Sequence, residues 1–222
     1  LMSLPAVFQT TTETVPWPGA YLGADPVMTA EKWIEFPSQT MPNGRRVGVA
    51  WAGNPNYKAD RQRSIKLSTL LPLLQSANVT WVALQKGSPA EELAALPDGV
   101  AVLDGSSHDR DLAETAALLA TLDLVITTDT CIAHLAGAMD KPVWILLPHL
   151  ADWRWMQQTE TTPWYPAARL IRQRHPGDWD GVVRQILEEL GGLPEQLRQR
   201  GPTLTPTMKP IQAATELPRA AA

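Results

Sequence analysis

Thr127-Thr128-Asp129-Thr130-Cys131-Ile132-Ala133-His134-Leu135-Ala136-Gly137-Ala138 is the stretch on which the reading of this chain turns. A mostly apolar run, Leu122 to Ile126, precedes it, and another, Val143 to Leu147, follows it. Strand, short polar turn, small-residue helix and strand again is the grammar of a doubly wound α/β domain. In such domains ligands gather where the strands end. Asp129 is placed to cap the helix with its carboxylate. The amides of Thr130, Cys131 and Ile132 are then expected to face outward with a partial positive charge, suited to an anion such as a diphosphate. Thr130 and His134 are four residues apart and share a helix face, so one ligand can touch both.

The same alternation extends in both directions. Val47 to Trp51 reads as a buried strand, followed by a long polar loop, Ala52 to Ser64, that carries Lys58, Arg61 and Arg63. Ser68 is a candidate cap for a helix bearing Leu70, Leu71, Leu73 and Leu74, with Pro72 still in its first turn. Val79 to Leu84 is a second strand. Ser88-Pro89-Ala90-Glu91 has the form of a capping box with proline at the first helical position. Val100 to Leu103 is a third strand, and a helix over about Arg110 to Thr121 puts Leu112, Ala116 and Leu119 on one face. Leu122 to Thr127 is the fourth strand, Asp129 to Met139 a helix, Val143 to Leu147 the fifth strand, and Arg169 to Arg172 a candidate sixth. Trp179, Val182, Val183, Ile186, Leu187 and Leu190 recur with helical spacing, and Gly191 and Gly192 end that helix.

These elements predict one Rossmann-like α/β domain, a doubly wound parallel sheet, over 46–195. Residues 1–45 are rich in proline and threonine and read as a linker or wrap from a preceding region, with a short helix over about Thr29 to Ile34. Residues 196–222, largely Pro, Thr and Ala beyond Pro202, are expected to be a disordered tail. Right-handed crossovers bring the loops 52–64, 85–88, 104–109, 127–130 and 148–166 to one edge of the sheet.

Composition narrows the class. With 222 residues and a hydrophobic content of 44%, the chain can bury one substantial core. A net charge of −4 without a basic stripe gives no footing for nucleic acid. The apolar runs are strand-sized, so no transmembrane segment is expected, and no signal peptide is legible at the start. Cys131 is the single cysteine, which excludes an internal disulfide and fits a cytoplasmic location. No histidine or carboxylate pair has metal-ligand spacing, so neither metal nor other cofactor is expected. Nine tryptophans, several between Trp144 and Trp179, mark a specialised surface there.

A set of segments resembles the C-terminal half of a GT-B glycosyltransferase, and within that class glycosyltransferase family 9, the heptosyltransferases. They are Val47-Gly48-Val49-Ala50-Trp51-Ala52-Gly53-Asn54-Pro55 running on through Arg63-Ser64-Ile65, then Leu84-Gln85-Lys86-Gly87, then Asp129-Thr130 with His134-Leu135-Ala136-Gly137-Ala138. Lys141-Pro142-Val143-Trp144, Asp152-Trp153-Arg154-Trp155, Pro163-Trp164-Tyr165-Pro166 and Pro176-Gly177-Asp178-Trp179 follow in order. The tryptophan segments are similar to those of bacterial glycosyltransferase domains that follow tetratricopeptide repeats. The resemblance implies a nucleotide-diphosphate sugar as donor substrate. It implies that Asp129, Thr130 and His134 line the diphosphate, with Thr128, Cys131 and Asn54 beside them, and that Arg63 supplies a positive charge to the phosphates. It implies that Lys86 lies near the donor and that Glu91 or Glu92 contacts ribose or base. Arg154 is a further phosphate candidate. Arg63 and His134 are the expected catalytic groups, which stabilise the leaving diphosphate without a metal. The acceptor and the catalytic base belong, by the same resemblance, to an N-terminal GT-B half for which residues 1–45 are too few. Cys131 departs from the glycine often found at its position in heptosyltransferases.

Each of these residues also has a plain structural reading. Asp129 can be a helix cap only, His134 a core histidine, Arg63 and Lys58 solvated loop charges, Glu91 part of a capping box and Glu92 a residue of an exposed helix face. The aromatic residues at 153–165 can be a packed loop, or can stack a sugar or base. Cys131 lacks the surroundings of a nucleophile. Two other functions share the pattern: a non-catalytic nucleotide- or sugar-binding module of a repeat protein, and a sugar-nucleotide epimerase, against which the tryptophan segments argue. A dinucleotide dehydrogenase is disfavoured, since no Gly-x-Gly-x-x-Gly follows the first strand.

Overall fold

Strand-sized runs that are apolar throughout, rather than alternating, suit a parallel sheet covered on both faces. The computed structural model, which describes residues 4–35, 45–76, 79–106 and 109–192, has that architecture. Its strands are β1 (Arg45–Ala50), β2 (Val79–Ala83), β3 (Val102–Asp104), β4 (Leu124–Thr128), β5 (Val143–Leu147) and β6 (Ala168–Arg172). They form one sheet of order β3-β2-β1-β4-β5-β6, and every pairing is parallel. The order reverses between β1 and β4, and their register aligns Val49 with Ile126 and Ala50 with Thr127. The loops after these two strands therefore leave the sheet side by side, at the topological switch point.

Neighbouring side chains along each strand point to opposite layers. Val47, Val49, Trp81, Ile126 and Leu146 pack with Val182, Val183 and Ile186 of α7 (Trp179–Gly192). Ala50, Val82, Val125 and Ile145 pack on the other face with Leu118 of α5 (Leu112–Ala120) and Ala133 of α6 (Cys131–Ala138). Val125 and Ile126 are both fully buried, one in each layer, which is why the strand reads as a continuous apolar run. The expected α/β class, a Rossmann-like doubly wound parallel sheet, is the observed one.

Several local expectations are corrected. Ser68 caps no α-helix: Leu67–Leu70 is a 3₁₀ turn that leads into the four-residue α4 (Leu71–Leu74), which accommodates Pro72 in its first turn. The capping box at Ser88 is absent. Gly87, at φ 74°, turns the chain directly into a 3₁₀ helix over Ser88–Ala95, and no side chain caps it. Leu112 is not on the core face of α5 but 58% exposed. The cap of that helix is Asp111, whose carboxylate accepts from the amides of Ala113 and Glu114 at 2.9 and 3.0 Å. The long loop after β1 contains a helical turn, α3 (Asp60–Arg63).

Before β1 the described chain has a short α1 (Leu4–Val7) and α2 (Pro26–Glu35), longer at both ends than the expected helix. Asp25 caps α2 by accepting from Val27 and Met28, with Pro26 at the first helical position. This segment lies on the α/β unit. Tyr21 and Leu22 donate their amides to the Ala138 carbonyl at the end of α6, and Lys32 pairs with the buried Asp109 carboxylate at 2.9 Å. No helix among the described residues is long and apolar enough to cross a membrane. The tail expected over 196–222 falls outside the described residues.

Candidate functional site

A cleft of about 600 Å³ opens at the carboxyl edge of the sheet, over the ends of β1 and β4. Asn54, Arg63, Lys86, Asp129, Thr130, Cys131 and His134 all line it, with Gly53, Gln85 and Gly87. Seven of the expected site residues, drawn from three separate loops, thus meet in one place.

Arg63 is fixed from two directions. Its Nη1 donates to the main-chain carbonyl of Asp129 at 2.7 Å, and its Nε donates to Asp60 at 3.2 Å. Asp60 is buried and also accepts from the Ser64 hydroxyl at 2.8 Å, while Ser64 accepts from the Gly53 amide at 3.0 Å. Gly53 has to be a glycine here, because a Cβ at this position would run into the Asp60 carboxylate and the Arg63 guanidinium. The guanidinium also lies over the Tyr57 ring, 5.0 Å from its centroid. A cation held this way is pre-organised for an anion in the cleft.

The cap of α6 is Thr130, not Asp129. Thr130 has extended backbone angles, and its hydroxyl lies 3.1 Å from that of Thr127 instead of capping the helix. Cys131 and Ile132 are therefore the first helical residues, and their amides have no intrahelical acceptor. The Ala133 amide bonds back to the Thr130 carbonyl at 3.1 Å. The anion-binding end of the helix is shifted by one residue from the expected position. Cys131 is exposed there and lines the cleft.

His134 sits one turn further on, stacked on Trp155 at 5.3 Å between centroids and 22° between planes. Its Nδ1 is 3.0 Å from the Tyr165 hydroxyl, and its Nε2 is 4.0 Å from Asp129 Oδ1. Burial pushes the imidazole below its ordinary pKa, and the Asp129 carboxylate opposes that shift. The Tyr165 phenol is pushed up to about 12, chiefly by burial and further by Tyr21, so it remains protonated. Gly137 makes this contact possible: a Cβ there would collide with the Tyr165 ring.

Four expected site residues lie elsewhere. The Thr128 side chain is fully buried in the sheet, and its hydroxyl has no partner among the described residues, because the strand runs one residue further than expected. Glu91 is exposed on the 3₁₀ helix, away from the cleft lining. Glu92 turns inward and accepts from the Leu67 amide at 2.7 Å, a structural contact that positions the turn before α4. Arg154 pairs with Asp152 at 2.8 Å and lies over Trp153, lining a second cavity that His134 also borders.

Three supporting roles were not read from sequence. Asp60 orients Arg63, and Tyr165 holds His134. Gln85 is buried and ties the ends of β1 and β2 together. It accepts from the amides of Trp51 and Ala52 at 3.0 and 2.8 Å and donates to the carbonyls of Ala52 and Lys86, both at 3.0 Å. A lone glutamine directly after a buried strand is the only sequence signal for that role. Lys86 donates to Thr115 and to the Asp109 carbonyl, so its ammonium is drawn to the rim of the cleft. Among the described residues no group of three or more His, Cys, Asp or Glu side chains converges.

A parallel sheet with this strand order and a helix N-terminus beside a fixed arginine at its switch point make this a Rossmann-like α/β domain, and the solved structures it superposes on are GT-B-like glycosyltransferases. Residues 78–175 match the family model of Glycosyltransferase family 9 (heptosyltransferase), so this part of the chain is similar to a family 9 glycosyltransferase domain. Protein FlbA of Caulobacter vibrioides is 30% identical over 185 residues, which cover 81% of this chain and 30% of FlbA. Among solved structures, Escherichia coli ADP-heptose LPS heptosyltransferase II superposes with a TM-score of 0.59 at 19% identity, over 82% of this chain and 56% of that one. A family 9 glycosyltransferase from Veillonella parvula gives 0.59 at 10% identity, over 85% and 57%. The chain thus spans under a third of the curated relative it matches and a little over half of each of these structures.

Proposed function

We propose that this domain binds the diphosphate of a nucleotide sugar at the N-terminus of α6 and forms the donor half of a hexosyl- or heptosyl-transferring enzyme. The observation that supports this best is the Arg63–Asp129 bond, which fixes a guanidinium beside the first amides of α6 inside the cleft. In the transfer, the bond from the anomeric carbon to the diphosphate oxygen breaks, and its electron pair leaves on the nucleoside diphosphate. An acceptor oxygen bonds to the anomeric carbon and gives up its proton to a base outside the described residues. The charge rising on the leaving oxygen is met by Arg63, by the Cys131 and Ile132 amides, and by His134 in its protonated form. Asp129 favours that protonated form. Thr130 and Asn54 supply polar contacts at the cleft, and Lys86 adds positive charge at its rim. Acceptor recognition belongs to a second GT-B half, and tetratricopeptide repeats are proposed as its neighbours in the parent protein. A cytoplasmic location belongs to the same reading and is supported by the single cysteine.

The test is calorimetric titration of the chain with ADP, UDP and GDP, repeated on Arg63→Ala and Asp129→Ala. Binding of one nucleotide that both substitutions weaken is the expected result and identifies the base. No binding to the folded chain by any of the three overturns the donor reading for this domain.

A further inference from the structure

His134 borders a second cavity, of about 320 Å³, on the side away from the loops of β1 and β2. Two distant segments wall it: Trp17 and Tyr21 before α2, and Trp153, Trp155 and Trp164 from the loop between β5 and β6. Both segments are fastened. Arg172 donates to the Trp155 and Met156 carbonyls at 2.8 and 3.0 Å, and Trp164 Nε1 donates to the Arg154 carbonyl at 3.0 Å. The Tyr21 amide is held by the Ala138 carbonyl at 3.0 Å. Met156 takes φ 53°, a left-handed conformation unfavourable for its side chain, held here by those bonds.

The rings do not close on one another. Trp153 meets Trp164 edge to face, 6.0 Å apart at 88°, and remains 58% exposed. Arg154 lies over part of Trp153, and the ring is still largely exposed. Exposed aromatic surface with polar groups beside it, here Arg154 and His134, matches the chemistry of a pyranose ring, which has apolar C–H faces and a girdle of hydroxyls. The sheet order supplies direction. A nucleotide sugar carries its diphosphate in the middle and sends nucleoside and sugar opposite ways. From the N-terminus of α6, one way leads over Gln85 to Gly87 after β2, and the other passes His134 into the aromatic cavity, beside β5 and β6.

We propose that this aromatic cavity receives the pyranose ring of the nucleotide-linked sugar, stacked on Trp153 and Trp17, with Arg154 on its hydroxyls. The inference rests on the donor reading above. It also makes the segment before α2 part of the binding site.

The experiment titrates the whole chain with ADP, UDP and GDP and with the glucose conjugate of each, following heat and tryptophan fluorescence. For the base that binds, the conjugate is expected to bind about tenfold more tightly than the bare diphosphate and to shift tryptophan emission. Trp153→Ala and Trp17→Ala each bring that ratio towards one. A ratio near one in the unsubstituted chain, or equal weakening of both ligands by Trp153→Ala, overturns the proposal; the latter result puts the nucleoside in the cavity. Should no nucleotide bind, the donor reading fails separately, and saturation-transfer NMR with methyl α-D-glucopyranoside and methyl α-D-mannopyranoside tests the cavity alone. Transfer to ring-face protons that Trp153→Ala abolishes upholds a pyranose site with a free glycan as its source, and absence of transfer overturns it.

Discussion

The Arg63 guanidinium and the Asp129 main-chain carbonyl, 66 residues apart in sequence, are joined by a 2.7 Å hydrogen bond across the switch point of the sheet. The bond links the loop after β1 to the turn before α6, so it sets both the position of the charge and the approach to the helix N-terminus. Charge-assisted bonds of this kind contribute about 1.5–3 kcal/mol each when their partners are fixed. Arg63→Ala is therefore expected to weaken nucleoside diphosphate binding by about tenfold to a hundredfold. Arg63→Lys keeps the charge but loses the fork that reaches Asp60 and Asp129 together, and is expected to fall between the two. Isothermal titration on folded variants measures both, and equal affinity of all three proteins would remove Arg63 from the site.

The Asp60 carboxylate makes the arginine geometry possible, since it accepts from both Arg63 and Ser64 while buried. Asp60→Ala leaves the Ser64 hydroxyl and Arg63 Nε without their acceptor. A stability loss of about 1–3 kcal/mol is expected, together with weaker nucleotide binding. Asp60→Asn retains an acceptor oxygen and is expected to recover part of both. Denaturant unfolding alongside titration separates the two effects, and a loss of stability without any loss of affinity would show that Arg63 does not depend on Asp60.

The strands and the parallel-sheet class were legible in the sequence because a buried parallel strand has a loud signature, a short apolar run between turn signals, whereas the strand order came only with the structure. Val125 and Ile126 show this: each is fully buried, in opposite layers. The loops that form the cleft were legible only as a set, from strand ends carrying Asn54, Lys86 and Asp129. What the sequence did not disclose is which polar group answers which. Asp129 and Thr130 are both good capping residues, and Thr130 takes the position because β4 continues through Thr128. Glu92 looked like a solvent-facing carboxylate, but the Leu67 amide, 25 residues away, takes it. The pairing of Tyr165 with His134 depends on Gly137 leaving room for the ring, a contact across 31 residues that no local pattern encodes.

Gly137 gives a prediction about packing. Gly137→Ala adds a methyl group where the Tyr165 ring already sits. Forcing a methyl group into a filled space costs about 1–3 kcal/mol and displaces the neighbour. The thermal midpoint is expected to fall by roughly 2–8 °C. The aromatic side-chain NMR signals of Tyr165 and Trp155 should shift with it, since both rings pack on His134. An unchanged midpoint would mean that the ring has room to move aside.

His134 links stability, protonation and ligand. Its folded pKa lies below the ordinary 6.5 because burial disfavours the charged ring. The folded domain then holds fewer protons at this site than the unfolded chain, so stability rises with pH between the depressed value and 6.5. This contribution is complete above 6.5 and is lost as pH falls through that window. Unfolding at pH values from about 7 down to about 5 is expected to show a decline that His134→Gln reduces. A bound diphosphate adds negative charge close to the ring and reverses the preference, so the histidine takes up a proton on binding. Titration of nucleoside diphosphate in buffers of different ionisation enthalpy should show net proton uptake near neutral pH, and affinity should increase as pH is lowered. The same titration on His134→Gln should show that uptake diminished. Proton release on binding, or uptake identical in the variant, would place the titrating group elsewhere and leave His134 as an aromatic wall between the two cavities.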